Sequence, residues 1–181
     1  MNSPEVVKLY DKLNKKKKLN DYDLSLIKSL SYETGWSRDD IMDEIKNLDK
    51  DPRQRIEIYK KIFEEYYEEA IKLRDKQGGE KLWGAVTALI KAYAANKGIM
   101  LSHWSHYDLY NFIASNVEKK KQIRLSDGTL IKPYQLFVDL LTFADQLHKN
   151  FYESHLPKEV FEDIFNEVVE LVKKAKEIIF S

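Results

Sequence analysis

Apolar residues recur at helical spacing along nearly the whole chain, and one stretch departs from that pattern. Residues 80–98, EKLWGAVTALIKAYAANKG, are apolar around their whole circumference. Leu82, Trp83, Val86, Leu89, Ile90 and Tyr93 cover most of it, and Gly84, Ala88 and Ala92 form a stripe of small residues at i, i+4 and i+8. A surface helix shows one apolar face, whereas a helix apolar on all sides is surrounded by others. The pattern predicts a central helix, with one neighbour lying close over the small stripe and Trp83 filling a wider gap beside it. Gly78-Gly79 reads as the break before this helix, Glu80 as suited to its positive N-terminal end, and Lys97-Gly98 as its stop.

The remaining elements are placed around it. All four prolines stand where helices are expected to start. Ser3-Pro4 and Asp51-Pro52 pair an N-cap with proline at the first helical position, and Pro133 and Pro157 open two further patterns. Pro4–Leu13 predicts a short helix, followed by the basic run Lys15–Lys18. Asp21 or Asp23 caps a second helix through about Tyr32, broken by Gly35. Ser37 and Asp40 form an S-x-x-D capping box for a third, ending near Leu48. Arg53–Lys76 predicts a long helix with Ile56, Tyr59, Phe63, Tyr66, Ala70 and Leu73 on one stripe. Residues 102–120 predict a shorter one with Leu109, Phe112 and Ile113 inward. Gln122–Ile131, with aliphatic arms around Asp127-Gly128, is either a small hairpin or a plain turn. Tyr134–His155 and Pro157–Phe180 are helices again, with Phe137, Leu140, Ala144, Leu147 and Phe151 on one face and Phe161, Ile164, Val168, Leu171, Val172, Ala175 and Ile178 on the other. The expected fold is all-α: an antiparallel, up-and-down bundle of four to five helices over residues 53–181, with a small three-helix unit over residues 1–50 that is helix-turn-helix-like or a packing cap.

Composition narrows the function. The 30 basic and 30 acidic side chains cancel, which argues against a strong electrostatic partner for the whole molecule. The absence of cysteine removes disulfides, thiolate nucleophiles and cysteine-based metal sites, and suits a cytoplasmic location. No run is long and apolar enough to span a bilayer, and the N-terminal residues have no signal-peptide core, so no membrane association is expected. The abundance of charged residues resembles thermophile composition.

Several groups are candidates for chemistry. His103, His106 and Asp108 spell H-x-x-H-x-D at a helix start, and residues at i and i+3 share a face, so two imidazoles there are candidate ligands of one metal ion. The bland alternative is a pair of histidines at a helix end. Asp145 and His148 give a D-x-x-H that only loosely matches di-iron spacing, with Glu65 and Glu69 as solvated flank; His148 and His155 are expected at the core edge. Ser31-x3-Gly35-x5-Ile41 matches the helix-turn-helix pattern, but its second helix, SRDDIMDEIKNLD, holds five acidic residues against two basic ones, the wrong sign for phosphate. Lys119, Lys120, Lys121, Arg124 and Lys132 cluster near Tyr134 around the Asp127-Gly128 turn. Basic groups interleaved with an aromatic suit a nucleic-acid backbone and a stacked base, and a solvated turn is the plain alternative.

GGEKLWGAVTALIKAYAANKGI, followed by SHWSHYDLYNFI, resembles the archaeal PaREP family, which in turn looks similar to the HEPN superfamily of α-helical bundles. The resemblance covers about residues 53–180. It implies an up-and-down bundle that dimerises, with RNA, a nucleotide or a protein as partner. Ribonuclease members of that superfamily carry an arginine followed four to six residues later by a histidine. None of the five arginines here, Arg38, Arg53, Arg55, Arg74 and Arg124, has a histidine at that spacing, so no catalytic residue carries over and no cofactor is expected. The leading expectation is a non-catalytic binding or dimerisation module. The alternatives are a DNA-binding regulator using the N-terminal unit and a metal-dependent enzyme using His103 and His106.

Overall fold

The computed structural model describes residues 3–101 and 103–181. It is an all-α protein with a two-stranded ribbon. The order is α1 (Pro4–Asn14), α2 (Asp21–Thr34), α3 (Arg38–Lys46), α4 (Pro52–Leu73), α5 (Lys76–Asn96), α6 (His106–Asn116), β1 (Ile123–Arg124), β2 (Leu130–Ile131), α7 (Pro133–Glu153) and α8 (Lys158–Ile179). Pro4, Pro52 and Pro133 occupy first turns, while Pro157 is itself the N-cap of α8. Capping boxes close the starts of three helices: Asn20 with Asp23, Asp51 with Gln54, and Ser105 with Asp108. Asn20, rather than Asp21 or Asp23, therefore caps α2. At α3 the expected reciprocal box is half made. Ser37 Oγ accepts from Asp40 N at 3.1 Å, but Ser37 N donates to Tyr66 Oη at 2.7 Å instead of to Asp40.

The central helix is α5. From Gly78 to Ala95 every residue but Lys81 is buried. It lies against α2, α4, α6, α7 and α8. One boundary differs from expectation: α5 starts at Lys76, so Gly78-Gly79 lie inside its first turns. The chain turns instead at Arg74, in the left-handed region at φ 48°, and Asp75 caps α5 by accepting from Gly78 N at 2.9 Å. The two glycines admit close neighbours: a Cβ on Gly78 would stand 3.0 Å from the Ala70 carbonyl, and one on Gly79 3.0 Å from the Phe161 ring. Glu80 consequently sits in the wall of the core, not at a helix end. The α6 helix starts at His106 and ends at Asn116, shorter at both ends than the pattern suggested; Ser102, the expected start, lies outside the described residues.

One contiguous core runs from Val6 and Leu9 of α1 through Trp36 to α5 and on to Ile179. The first three helices are tied to α5 by side chains reaching in both directions. Trp36 Nε1 donates to the Gly84 carbonyl at 2.8 Å, and Trp83 Nε1 donates to the Glu33 carbonyl at 2.8 Å. Thr87 Oγ1 donates to the Thr34 carbonyl at 3.2 Å, and Lys91 Nζ donates to both Glu44 carboxylate oxygens at 3.0 Å. Among the described residues no helix is long and apolar enough to cross a membrane.

Candidate functional site: a basic hairpin and a histidine–tryptophan cluster

Residues 122–132 form the hairpin. Ile123 pairs with Ile131 and Arg124 with Leu130. Side chains alternate between faces of a strand, so Ile123 and Ile131 point inward and half-buried, while Arg124, Leu130 and Lys132 face solvent. Leu125 N donates to the Thr129 carbonyl, Gly128 N donates to the Leu125 carbonyl, and Gly128 takes φ 88°. That is a three-residue loop ending in a left-handed residue, which explains why glycine follows Asp127. Ser126 is pinned to the α8 carboxylate of Glu177 through both its N–H and its hydroxyl.

The basic residues gather at this ribbon. Lys119, Lys120, Lys121, Arg124 and Lys132 are all exposed, and none forms a salt bridge with a carboxylate among the described residues, although Lys121 and Glu118 attract each other. Lys119 Nζ stands 5.2 Å from the centre of the half-buried Tyr134 ring. Arg124 Nη1 donates to the Gly128 carbonyl at 3.0 Å, so its guanidinium braces the loop it projects from. Glu118 is the acid within the patch. Its carboxylate accepts from the backbone N–H groups of Lys121 and Lys120, and these bonds hold its pKa below the ordinary carboxylate value.

The structure sends His103, His106 and Asp108 to three different partners. His103 Nε2 meets Glu33 at 3.0 Å, His106 Nε2 meets Asp145 at 3.1 Å, and Asp108 completes the Ser105 capping box. Among the described residues no three His, Cys, Asp or Glu side chains stand together as metal ligands. His106 belongs instead to a cluster of rings. Trp83 stacks on His106 with centroids 5.1 Å apart and on His148 with centroids 5.3 Å apart. Tyr32 and Tyr152 meet His148 edge-on and lie 4.5 Å from each other at the surface. His148 Nδ1 and Glu80 share a buried hydrogen bond at 2.8 Å. Burial raises the Glu80 pKa, and the His148 bond only partly offsets this. The Asp145 bond raises the pKa of His106, with burial opposing it. Burial works against the Asp145 carboxylate, yet His106 and Lys149 together hold its pKa below the ordinary value. Burial pushes the Tyr152 phenol up to about 12.

Gly35 is the hinge that lets this cluster close. At φ 72° it ends α2 in the left-handed region, and a Cβ there would stand 3.0 Å from the Glu80 carbonyl and 3.2 Å from the Trp83 ring. Two carboxylate–imidazole pairs are thus held in fixed orientation. The rings that surround them fill the space between α2, α5, α6 and α7. The helix-turn-helix glycine coincides with this same turn. Beyond it, α3 buries Ile41 and Ile45 and leaves Arg38, Asp39, Asp43 and Lys46 exposed, a face with no net positive charge.

Two buried charged groups were not anticipated. Lys91 is fully enclosed, with its ammonium 4.2 Å over the Trp36 ring and paired to Glu44. Burial lowers its pKa against the pull of that carboxylate. Arg55, at the start of α4, is also buried. A lysine inside a stretch otherwise apolar on all sides was the available signal for the first. His148 was legible too, on the Ala144 stripe, whereas Glu80 reads from the sequence as a helix-start residue. Nothing in the apolar spacing of α4 marks Arg55.

A helical bundle assembled around one all-apolar helix is the class this architecture defines. The sequence profile of the archaeal PaREP1/PaREP8 family matches residues 58–172, from α4 into α8 and more than half of the chain. The protein belongs to that family. No curated protein and no solved structure matches the chain.

Proposed function

We propose that this protein is a non-catalytic helical binding module that engages single-stranded RNA through the hairpin between α6 and α7. The observation that carries the reading is the set of five exposed cations free of salt bridges among the described residues, one of them, Lys119, over the Tyr134 ring. Exposed cations that are already paired have little to offer a phosphate, whereas unpaired ones release counterions when the backbone docks. Tyr134 supplies a ring face on which a base can stack once Lys119 swings to a phosphate. The resemblance to HEPN-type bundles favours RNA over DNA. The reading includes a homodimer, which native mass spectrometry of the purified chain tests.

The experiment is fluorescence anisotropy with a labelled 12-nucleotide oligouridine, titrated at several salt concentrations. The wild-type chain should bind with an affinity that falls as salt rises. The triple variant K120E/K121E/R124E should bind more weakly and lose about 2 from the log–log salt slope, since each phosphate contact on a single strand contributes roughly 0.7. A slope and affinity unchanged by the triple variant would refute the site, and no binding by the wild type would refute the function.

A further inference from the structure

We propose that a cleft beside α1 is a second ligand site, built for a small monocarboxylate with an apolar body and anchored by Arg55. The cleft has a volume of about 350 Å³. Val7 and Tyr10 of α1, Leu48 of the α3–α4 connection, Arg55 of α4, and Met100 and Leu101 beyond α5 form its walls. That volume lies at the lower end of the range for small-molecule pockets, roughly 300–1,000 Å³.

The case rests on a buried guanidinium that forms no ion pair. Arg55 is only 4 % exposed. Its Nη2 donates to Tyr59 Oη at 2.5 Å and to the Leu101 carbonyl at 3.5 Å; among the described residues Nη1 and Nε have no hydrogen-bond acceptor and no carboxylate forms an ion pair with it. A buried guanidinium ordinarily sits against a carboxylate, because an unpaired buried charge is costly. The acid on the neighbouring α3, Glu44, turns both oxygens to Lys91 and also interacts with Tyr59. Arg55 is therefore left at the cleft wall without an ion-pair partner of its own among the described residues.

The guanidinium and the lining specify the ligand. A guanidinium with a free edge matches a carboxylate in two-pronged geometry. Five of the seven lining residues are apolar or aromatic, so the remainder of the ligand is a hydrocarbon or aryl body. Asp49 also borders the cleft, and its negative charge disfavours a dianion such as a phosphate monoester. Val7 is half exposed although it lines the cleft, as expected of a wall that an apolar ligand would cover. The site uses none of the residues of the basic hairpin, so its test is independent of RNA binding.

The probe is decanoate, titrated into the full-length protein by calorimetry, with 1-decanol and inorganic phosphate as comparisons. The wild-type chain should bind one decanoate per protomer and bind decanol and phosphate about tenfold or more weakly, as expected for a charge-assisted contact that needs both the charge and the apolar body. R55Q should weaken decanoate by about 10- to 100-fold on the same grounds. V7E places a carboxylate on the half-exposed rim, where it competes for Arg55 without disturbing the core, and should weaken decanoate comparably. If R55Q does not fold, V7E decides. Absence of saturable decanoate binding, equal affinity for decanol or phosphate, or unchanged affinity in V7E would each overturn the proposal.

Discussion

Replacing Gly84 by alanine adds one methyl group where α5 meets both α4 and the first three helices. The new Cβ would stand 2.7 Å from Tyr66 Cδ2 and 3.2 Å from Trp36 Cδ1. The first distance is shorter than real Cβ contacts allow, so the Tyr66 ring must move. It is not free to do so: its hydroxyl donates to Asp40 at 2.5 Å and accepts from Ser37 N at 2.7 Å, and its ring is buried. Trp36 is held by its bond to the Gly84 carbonyl itself. Alanine favours the helix by about 1 kcal/mol. Overpacking a filled core costs about 1–3 kcal/mol, and loosening one of the three hydrogen bonds around the ring costs about 1 more. The balance is a net loss of about 1–3 kcal/mol, or a Tm lowered by roughly 2–10 °C for a chain of this length. Thermal denaturation followed by circular dichroism measures it. In a Tyr66→Ala background the clash disappears, and Gly84→Ala should become neutral or stabilising, a coupling of about 1 kcal/mol or more. If Gly84→Ala raises the Tm of the otherwise wild-type chain, the small-residue stripe is not what lets α4 approach.

Three further outcomes follow from the buried charges and from the hairpin turn. Glu44→Gln should cost about 3–5 kcal/mol in urea denaturation and Lys91→Met less, because the first leaves a fully buried ammonium without an anion while the second leaves a carboxylate nearer to solvent; equal losses would contradict that difference in burial. The Asp145 bond raises the His106 pKa, so the folded state binds the proton more tightly than the unfolded one. That stabilisation is fully present below the ordinary imidazole value of 6.5 and is lost as pH rises through the higher folded value. Asp145→Asn should therefore flatten the decline in urea midpoint above neutral pH, and a decline unchanged in the variant would show that His106 is not the group responsible. Gly128→Ala forces a side chain into φ 88° with no neighbour to clash, so it should cost about 1 kcal/mol while leaving the helical circular dichroism intact.

The helices were legible because their signals are local. Capping residues, prolines and apolar spacing lie within a few positions of the boundaries they set. The errors were also instructive. Gly78-Gly79 reads as a break from propensity alone, but here tertiary packing against Ala70 and Phe161 keeps the pair helical. Leu73 falls on the predicted stripe yet is exposed, because α4 ends at that residue and the chain turns away. His103, His106 and Asp108 share a face in the sequence pattern, but their partners come from α2, α7 and the local cap, three places that no spacing connects. The pairing of Glu80 with His148 spans 68 residues and depends on how α5 meets α7. The hairpin patch was readable because its basic residues are close in sequence; the Arg55 cleft was not, because its walls come from three separate segments.

The four side-chain links between the first three helices and α5 join residues 47, 48, 50 and 53 positions apart. Closing the first link brings the others almost within reach, since the entropy of loop closure changes little over such a narrow range of lengths. During synthesis, at about 5–20 residues per second, the Trp36 indole is made roughly 2–10 s before the carbonyl it will donate to. Until then α1–α3 carry an apolar face with nothing to cover it. A polypeptide halted anywhere between residues 50 and 84 has made Trp36 but has no Gly84 to receive it.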